Sequence, residues 1–336
     1  FNRAVIYINL QQDEAALADF DVAIELSPTD AEAYSQRGMT YHKLQQYESA
    51  LTDLTQAVEL NPKNVLTHSR RGIIYRELRQ YEAALADFDM AIDLDPTNTL
   101  TYSLRGTTYL NLQRYASALV DFTRAIDLDP SNAQLYERRG RIYHNIKQYD
   151  AALADYNQAI ELDPNITSVY VNRAIIHSKL MQYEAALADL DRAIAFDPCN
   201  APFFSNRGRV YHNLGQYEAA LTDYNQAIEL DSNFALGYAN RGFTYQMLQR
   251  YKAALADYDK AIELYVSDTT HAYDRTDIVD AYVNRACIHA LLGQRAEALT
   301  DFNLAIQLDP TQPRYYSYRG EIHLACERYE AAWSDF

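Results

Sequence analysis

The sequence has few residues that would break or crosslink the chain. Its 336 residues include only 10 glycines and 9 prolines, so we expect no long flexible linker. The three cysteines, Cys199, Cys287 and Cys326, have no metal-binding spacing and no even count. We therefore predict a reducing, cytoplasmic compartment and no disulfide framework. No run of 18 apolar residues occurs, which predicts no membrane-spanning helix.

Positive charge is also scarce. Lys and Arg total 30 against 46 Asp and Glu, a net charge of −16, which disfavours nucleic acids and anionic membranes as partners. The sequence has no glycine-rich phosphate loop, no HExxH and no GxSxG motif, and its eight histidines are dispersed. We predict that the protein is not an enzyme and uses no cofactor and no metal.

What the sequence does have is a repeat. The segment 201–234 recurs at intervals of 34 residues, and prolines mark the period at Pro28, Pro62, Pro96, Pro130, Pro164 and Pro198. Pro310 lies two periods plus ten residues beyond Ser232, so about ten extra residues lie near 269–278. We expect this insertion either to extend the following helix or to form a surface loop, which in repeat arrays often lies on a binding face.

Each period contains two segments with helical spacing of apolar residues. In one period they are 31–44 and 47–60, joined by a turn at Gln45-Gln46. Two positions after five of these prolines stands a residue that suits the N-cap of the next helix, because its side chain can accept from free backbone N–H groups. These predicted caps are Asp30, Asn64, Asn98, Asn132 and Asn200.

A small residue recurs in the first helix of each period and an alanine in the second, where close helix crossing requires them. The small residues are Gly38, Gly72, Gly106, Gly140, Gly208, Gly242 and Gly320, with Ala4, Ala174 and Ala286 in the same register. The alanines are Ala50, Ala84, Ala118, Ala152, Ala186, Ala220, Ala254, Ala298 and Ala332. With the 34-residue period and the terminal proline, this pattern resembles the tetratricopeptide repeat family. The resemblance implies an all-α, right-handed solenoid whose first helices line a concave side.

We predict a single array of about ten units over residues 1–336. The units are 1–30, 31–64, 65–98, 99–132, 133–166, 167–200, 201–234, 235–278 with the insertion, 279–312 and 313–336. The first and last are partial and lack the polar capping helix of a solenoid end. We expect either a fragment of a longer protein or ends that pack on other copies.

An arginine precedes the small residue in every unit, and an aspartate follows sixteen residues later. The arginines are Arg3, Arg37, Arg71, Arg105, Arg139, Arg173, Arg207, Arg241, Arg285 and Arg319; the aspartates are Asp19, Asp53, Asp87, Asp121, Asp155, Asp189, Asp223, Asp257, Asp301 and Asp335. In an antiparallel helix pair these positions face each other. We predict partly buried ion pairs with a structural role; the alternative is a ligand contact.

The position before this arginine holds four consecutive asparagines, Asn172, Asn206, Asn240 and Asn284, called here the ladder. An amide has both a donor and an acceptor, so the row could hydrogen-bond the backbone of an extended peptide. Asparagine ladders are used in this way in some tetratricopeptide proteins. The alternative is that the residue is inherited by duplication and bonds neighbouring helices.

Positions expected on the concave side are locally basic. Arg138, Arg141 and Arg209 lie there with His144 and His212, which predicts selection of acidic or carboxylate groups; the alternative is scattered solvated charge. The family's carboxylate clamp for chaperone tails needs a lysine before the ladder position, and residues such as Ser69, Ser103 and Ser205 stand there instead. We do not expect chaperone tails as ligands.

The predicted function is a non-catalytic scaffold that binds an extended peptide or protein segment in a concave groove. A second hypothesis is a sensor, regulatory or spacer module of a larger multidomain enzyme or signalling protein. A third is a self-assembling array that associates through its uncapped ends.

Overall fold

The computed structural model describes residues 1–268 and 275–336, and in these ranges the chain forms twenty α-helices and no strands. The predicted all-α fold of helix pairs is confirmed. The internal contacts divide the chain into two compact units, unit 1 (Phe1–Val169) and unit 2 (Tyr170–Phe336). That all repeats form one array stays a prediction, because it concerns the arrangement of these units.

Unit 1 consists of five helix pairs and the first turn of the next helix. Its helices are α1 Asn2–Asn9, α2 Asp13–Leu26, α3 Ala31–Lys43, α4 Tyr47–Leu60, α5 Val65–Glu77, α6 Tyr81–Leu94, α7 Thr99–Asn111, α8 Tyr115–Leu128, α9 Ala133–Asn145 and α10 Tyr149–Leu162.

Unit 2 continues the same pairing. Its helices are α11 Thr167–Lys179, which begins at the end of unit 1, α12 Tyr183–Phe196, α13 Ala201–Asn213, α14 Tyr217–Leu230, α15 Ala235–Met247, α16 Tyr251–Ser267, α17 Arg275–Leu291, α18 Arg295–Leu308, α19 Pro313–Ala325 and α20 Tyr329–Asp335.

Four of the five predicted polar caps are confirmed. Asp30, Asn64, Asn98 and Asn132 accept from backbone N–H groups of the next turn. The prediction for Asn200 was wrong. Pro202 occupies the second helical position and has no N–H, and the N–H of Phe203 already donates to the Asn200 carbonyl. The Asn200 amide donates to Asp197 instead, at 3.0 Å.

The helix crossing in each pair explains the recurrent glycine. A Cβ atom on Gly140 would lie 2.7 Å from a ring carbon of Tyr156, and one on Gly72 would lie equally close to Phe88. Such distances are well inside van der Waals contact, so a larger side chain would force the ring or the helix to move. In these pairs the ring that follows the aspartate in the second helix therefore packs directly on the backbone of the first helix; at Gly38 the side chain of Leu54 takes this place.

The predicted ion pairs form in all ten helix pairs. In each, the arginine Nε and Nη2 donate to the two carboxylate oxygens of the aspartate. Apart from the contact of Arg319 Nη2 with Asp335 Oδ1, the N···O distances are 2.6 to 2.9 Å. Arg207 keeps 21% of its side chain exposed and Asp223 only 5%. The bidentate geometry and the burial support the structural role.

The third nitrogen of these arginines, Nη1, reaches back to the second helix of the preceding pair. In unit 2 its acceptor alternates between aspartate and asparagine: Asp191, Asn225, Asp259 and Asn303, at 2.6 to 2.7 Å. In unit 1 the corresponding residues alternate between aspartate and threonine, at Asp21, Thr55, Asp89 and Thr123, of which Thr55 does not bond its arginine. The seven arginines with these Nη1 bonds thus join neighbouring pairs as well as the two helices of their own pair.

The insertion lengthens the helices on both sides of it. α16 and α17 each have 17 residues, whereas the other complete second and first helices have 14 and 13. α17 begins at Arg275, four residues before Val279, where a first helix of the usual length would begin. Part of the insertion therefore extends the following first helix, which was one of the two expectations. The expectation of a surface loop falls on residues 269–274, which lie outside the described residues.

The first helices form the inner layer of each unit. Within unit 1, α3 touches α5 and α5 touches α7, and within unit 2, α13 touches α15 and α15 touches α17. Each also packs against its own second helix. The side of the first helices that points away from the second helices is called the groove face below, separately for each unit.

Candidate functional site

The ladder amides lie half-buried on the groove face of unit 2. Asn206 Oδ1 accepts from Arg209 Nη2 at 3.1 Å, and Asn240 Nδ2 donates to Ser205 Oγ at 3.3 Å. Within residues 1–268 and 275–336, the side chains of Asn172 and Asn284 take part in no hydrogen bond, and Asn206 Nδ2 and Asn240 Oδ1 are also unused. Most of the donors and acceptors of the ladder therefore remain open to a further partner.

The bond from Asn240 to Ser205 also shows a cross-repeat contact of the ladder position. Arg70 occupies the same register in unit 1 and reaches back in the same way, with Nη1 donating to Ser35 Oγ at 2.8 Å. The alternative reading, in which this position bonds neighbouring helices, thus applies to one atom of Asn240. It leaves the acceptor of that amide and both polar atoms of Asn284 unexplained.

On the groove face of unit 1, Arg138 has no carboxylate partner. Its Nη1 donates to Thr107 Oγ1 at 3.2 Å, and no described Asp or Glu lies within ion-pair distance of it. Arg70 differs, because Glu32 lies 3.8 Å from its Nη1. The residue that corresponds to Glu32 for Arg138 is Leu100, so the same register position has lost its counter-ion.

Two adjoining cavities surround Arg138. One, of about 430 Å³, is also lined by Arg76 and Leu100; the other, of about 240 Å³, is lined by Arg141, and Thr107 and Arg138 line both. Arg76 lies 3.5 Å from Glu77, and Arg141 lies 3.8 Å from Glu137. Burial raises the pKa of Glu137, although both neighbouring arginines oppose the rise. Arg138 is therefore the cation of this surface whose charge is least compensated.

His212 of unit 2 is held inside a polar network. Its Nδ1 lies 2.9 Å from Thr244 Oγ1, and its ring stacks on Phe243 with centroids 5.0 Å apart. Because the Thr244 hydroxyl donates its only hydrogen to the Asn240 carbonyl, His212 Nδ1 must be the donor of their contact. His144 lies in the same register in unit 1, with its ring edge-on to Tyr149 at 6.0 Å.

We expect unit 2 to lose stability in mild acid through His212. Burial lowers the pKa of His212, so the unfolded chain takes up this proton at a higher pH than the folded one. Stability contributed by the neutral ring is fully present above the ordinary pKa, about 6.5, and is lost as the pH falls from there through the lowered folded pKa. Thermal melting of the wild type and of His212→Gln between these limits measures it. His42→Gln, in the same register of unit 1, is the control; equal pH slopes for His212→Gln and wild type would contradict the expectation.

Arg209 is exposed beside Asn206, and its charge lies close to the buried hydroxyl of Tyr224.

Sequence reasoning missed Thr107 and Thr244, the partners of Arg138 and His212. Thr107 is the single threonine at its register position, and that irregularity was an available signal; the position of Thr244 holds threonine also at Thr40 and Thr108 and gave no such signal. The predicted residues divide between the units: Arg138, Arg141 and His144 lie in unit 1, and Arg209, His212 and the four ladder asparagines lie in unit 2.

Over the described part of the chain, no three His, Cys, Asp or Glu side chains lie close enough together to hold a metal ion. In the same residues, no helix combines the length and the apolar character needed to cross a bilayer.

Family models described as tetratricopeptide repeat match almost the whole sequence in pieces. The matches cover residues 4–71, 65–98, 104–165, 155–188, 235–268 and 279–312, and a model described as TPR repeat matches 182–215 and 208–249. Among curated proteins, no sequence matches the chain.

Solved structures with a similar fold include three helical repeat proteins. A tetratricopeptide repeat protein from Parabacteroides merdae aligns with a TM-score of 0.62 and 19% identity over 77% of this chain and 98% of its own. PilF of Pseudomonas aeruginosa aligns with a TM-score of 0.55 and 20% identity, over 66% and 96%. The Cut9–Hcn1 hetero-tetramer of APC/C aligns at 0.59 and 16%, over 92% of this chain and 59% of the other. At these identities the matches establish the fold.

Proposed function

Because this chain contains tetratricopeptide repeats along its length, we propose that it is a non-catalytic scaffold that holds an extended peptide or protein segment on its groove faces. The observation that carries the proposal is the unused hydrogen-bonding capacity of the ladder in unit 2. Half-buried amides without partners are costly unless a ligand or water satisfies them, and a peptide backbone offers a donor and an acceptor at every residue.

The groove face of unit 1 adds a preference for acidic groups. No described Asp or Glu forms an ion pair with Arg138, which lines two cavities and donates to the neutral hydroxyl of Thr107. A carboxylate of the ligand could accept from its remaining N–H groups in a charge-assisted bond. Arg141 and Arg209, which are exposed, would add attraction that salt screens. His144 and His212 would then orient neighbouring side chains rather than contact the ligand through a charge.

Selection of peptide ligands from a library of unstructured peptides tests the proposal. The baits are the wild-type chain and a variant with Asn206→Ala, Asn240→Ala and Asn284→Ala. Each lost hydrogen bond is worth roughly 0.5–1.5 kcal/mol, so we expect selected peptides to bind the triple variant at least tenfold more weakly, with little change in melting temperature.

The matched control carries Asn61→Ala and Asn165→Ala, two exposed turn asparagines. It should bind as the wild type does. Peptides that bind all three proteins equally would show that the ladder is structural, and a large drop in the melting temperature of the triple variant would assign the ladder to packing between repeats.

A further inference from the structure

The groove face of unit 2 has an apolar surface between and beside the ladder residues. Phe243 and Met247 on α15, Leu291 on α17 and Tyr318 on α19 are exposed, and Leu291 has 67% of its surface accessible. Large apolar side chains that cluster on one exposed face commonly mark a binding surface. In unit 1 the register position of Phe243 holds Met39, Ile73, Thr107 and Arg141, none of which is aromatic.

Two cavities open on this surface. The first, of about 260 Å³, lies between α15 and α17 and is lined by Phe243, Tyr258 and the ladder residues Asn240 and Asn284. The second, of about 360 Å³, lies between α17 and α19 and is lined mainly by apolar groups, among them Leu291, Phe302 and Tyr318. A 360 Å³ apolar cavity is large enough for one aliphatic or aromatic side chain.

The charge of the two cavities is negative. Asp277 and Asp280, on the first turns of the lengthened α17, line the first cavity, and Glu321 lines the second; among the described residues that line them there is no Lys or Arg. Arg314 lies 3.7 Å from Asp280, and both side chains are more than half exposed, so their attraction is weak. Arginines predominate in the unit 1 cavities, where Asp129 is the carboxylate among the described lining residues.

We propose that this surface of unit 2 docks an extended peptide segment that carries one large apolar side chain and one basic side chain. The apolar side chain occupies the cavity between α17 and α19. The basic side chain lies in the cavity between α15 and α17, with its stem on Phe243 and its charge at Asp277 and Asp280. Asn240 and Asn284 bond the backbone, and in this respect the inference rests on the proposed function.

The packing of the helices sets the spacing of the two side chains. Packed helices lie roughly 8–10 Å apart, and a peptide in polyproline II conformation returns to the same face every three residues, after about 9 Å. The two anchors are therefore about three residues apart. Because the lining of these cavities is acidic, charge complementarity requires a basic residue in the peptide. A ligand recognised only by Arg138 would carry an acidic group instead.

The experiment measures fluorescence anisotropy of short, end-blocked peptides with the full chain. The probe has leucine and lysine three residues apart in an uncharged background, in both orders. One matched peptide has glutamate in place of lysine, and another has alanine in place of leucine. We expect the leucine–lysine peptide to bind at least tenfold more tightly than either, because two charge-assisted contacts and one buried aliphatic side chain each exceed 1.4 kcal/mol, the equivalent of a factor of ten.

Variants then locate the site. Asp277→Asn with Asp280→Asn should abolish the preference for lysine over glutamate, whereas Glu229→Gln, an exposed carboxylate on α14, should leave it unchanged. Thermal melting of each variant confirms that it is folded. A preference that survives the double aspartate variant, or equal affinity for the lysine and glutamate peptides, would overturn the inference. So would a concentration-dependent mass showing that a second copy of the chain covers the surface.

The two proposals can fail separately. If library-selected peptides depend on the ladder but the leucine–lysine peptide does not bind, only the docking inference is wrong. The leucine–lysine peptide could instead bind through Asp277 and Asp280 with an affinity that Asn240→Ala and Asn284→Ala leave unchanged. The docking inference would then be confirmed, and the hydrogen bonding of the peptide backbone by the ladder would be wrong.

Discussion

Replacing Arg207 by alanine is expected to destabilise unit 2 by about 2–4 kcal/mol. The change leaves the nearly buried carboxylate of Asp223 without its two donors and removes the bond from Nη1 to Asp191. The loss falls toward the lower part of the range for a fully buried pair, because Arg207 itself stays partly exposed. Calorimetric melting or hydrogen exchange of the wild type and the variant measures it.

Arg3→Ala is the matched control for Arg207→Ala. Arg3 makes the same bidentate pair with Asp19, but 74% of its side chain is exposed, so water can replace the lost contact and the destabilisation should be clearly smaller. Affinity for a selected peptide should change little in Arg207→Ala. If affinity falls while the melting curve stays in place, the arginine row contacts ligand and its structural assignment is wrong.

Tyr156→Phe is expected to act in the opposite direction and to stabilise unit 1 by about 1–2 kcal/mol. The Tyr156 ring is fully buried against Gly140, and its hydroxyl has no hydrogen-bond partner among the described residues. Burial raises the pKa of Tyr156, consistent with a hydroxyl removed from water. Phe88 and Phe122 occupy the same register in unit 1, so the site accepts a phenylalanine ring without repacking.

Tyr258→Phe is the comparison for Tyr156→Phe. The Tyr258 hydroxyl donates to Gln246 Oε1 at 3.2 Å, so its removal should cost about 0.5–1.5 kcal/mol by stranding that acceptor. A shift of the melting temperature in the same direction for Tyr156→Phe and Tyr258→Phe would contradict the argument.

The period of the sequence predicted the helices, their turns and the ion pairs because these depend on contacts within one repeat. Arg207 and Asp223 face each other wherever two antiparallel helices follow this register. Gln45 illustrates the turns: it adopts a φ of 59°, at the predicted joint between α3 and α4. The failure at Asn200 is also local, and Pro202, visible in the sequence, was its cause.

The candidate site was less predictable, since it depends on contacts between repeats and on irregular positions. The sequence placed Arg138 on the groove face but could not show that Leu100 has replaced the counter-ion that Glu32 supplies to Arg70. The ladder could be found by its recurrence, whereas Ser205 as a partner of Asn240 required the packing of α13 against α15. The acidic cavity could be recognised only once the start of α17 was known, because its aspartates lie on the first turns of that helix.

Within each unit, the residues that face the arginine Nη1 groups alternate between charged and neutral with a period of two repeats. Joints closed by aspartate combine a hydrogen bond with a charge, and salt screens the charge because those aspartates are more than half exposed. At joints closed by asparagine or threonine the acceptor is neutral, so these bonds depend much less on ionic strength. Within each unit, bending under load should therefore concentrate at the joints with a neutral acceptor in dilute buffer. In concentrated salt it should be distributed more evenly over the joints.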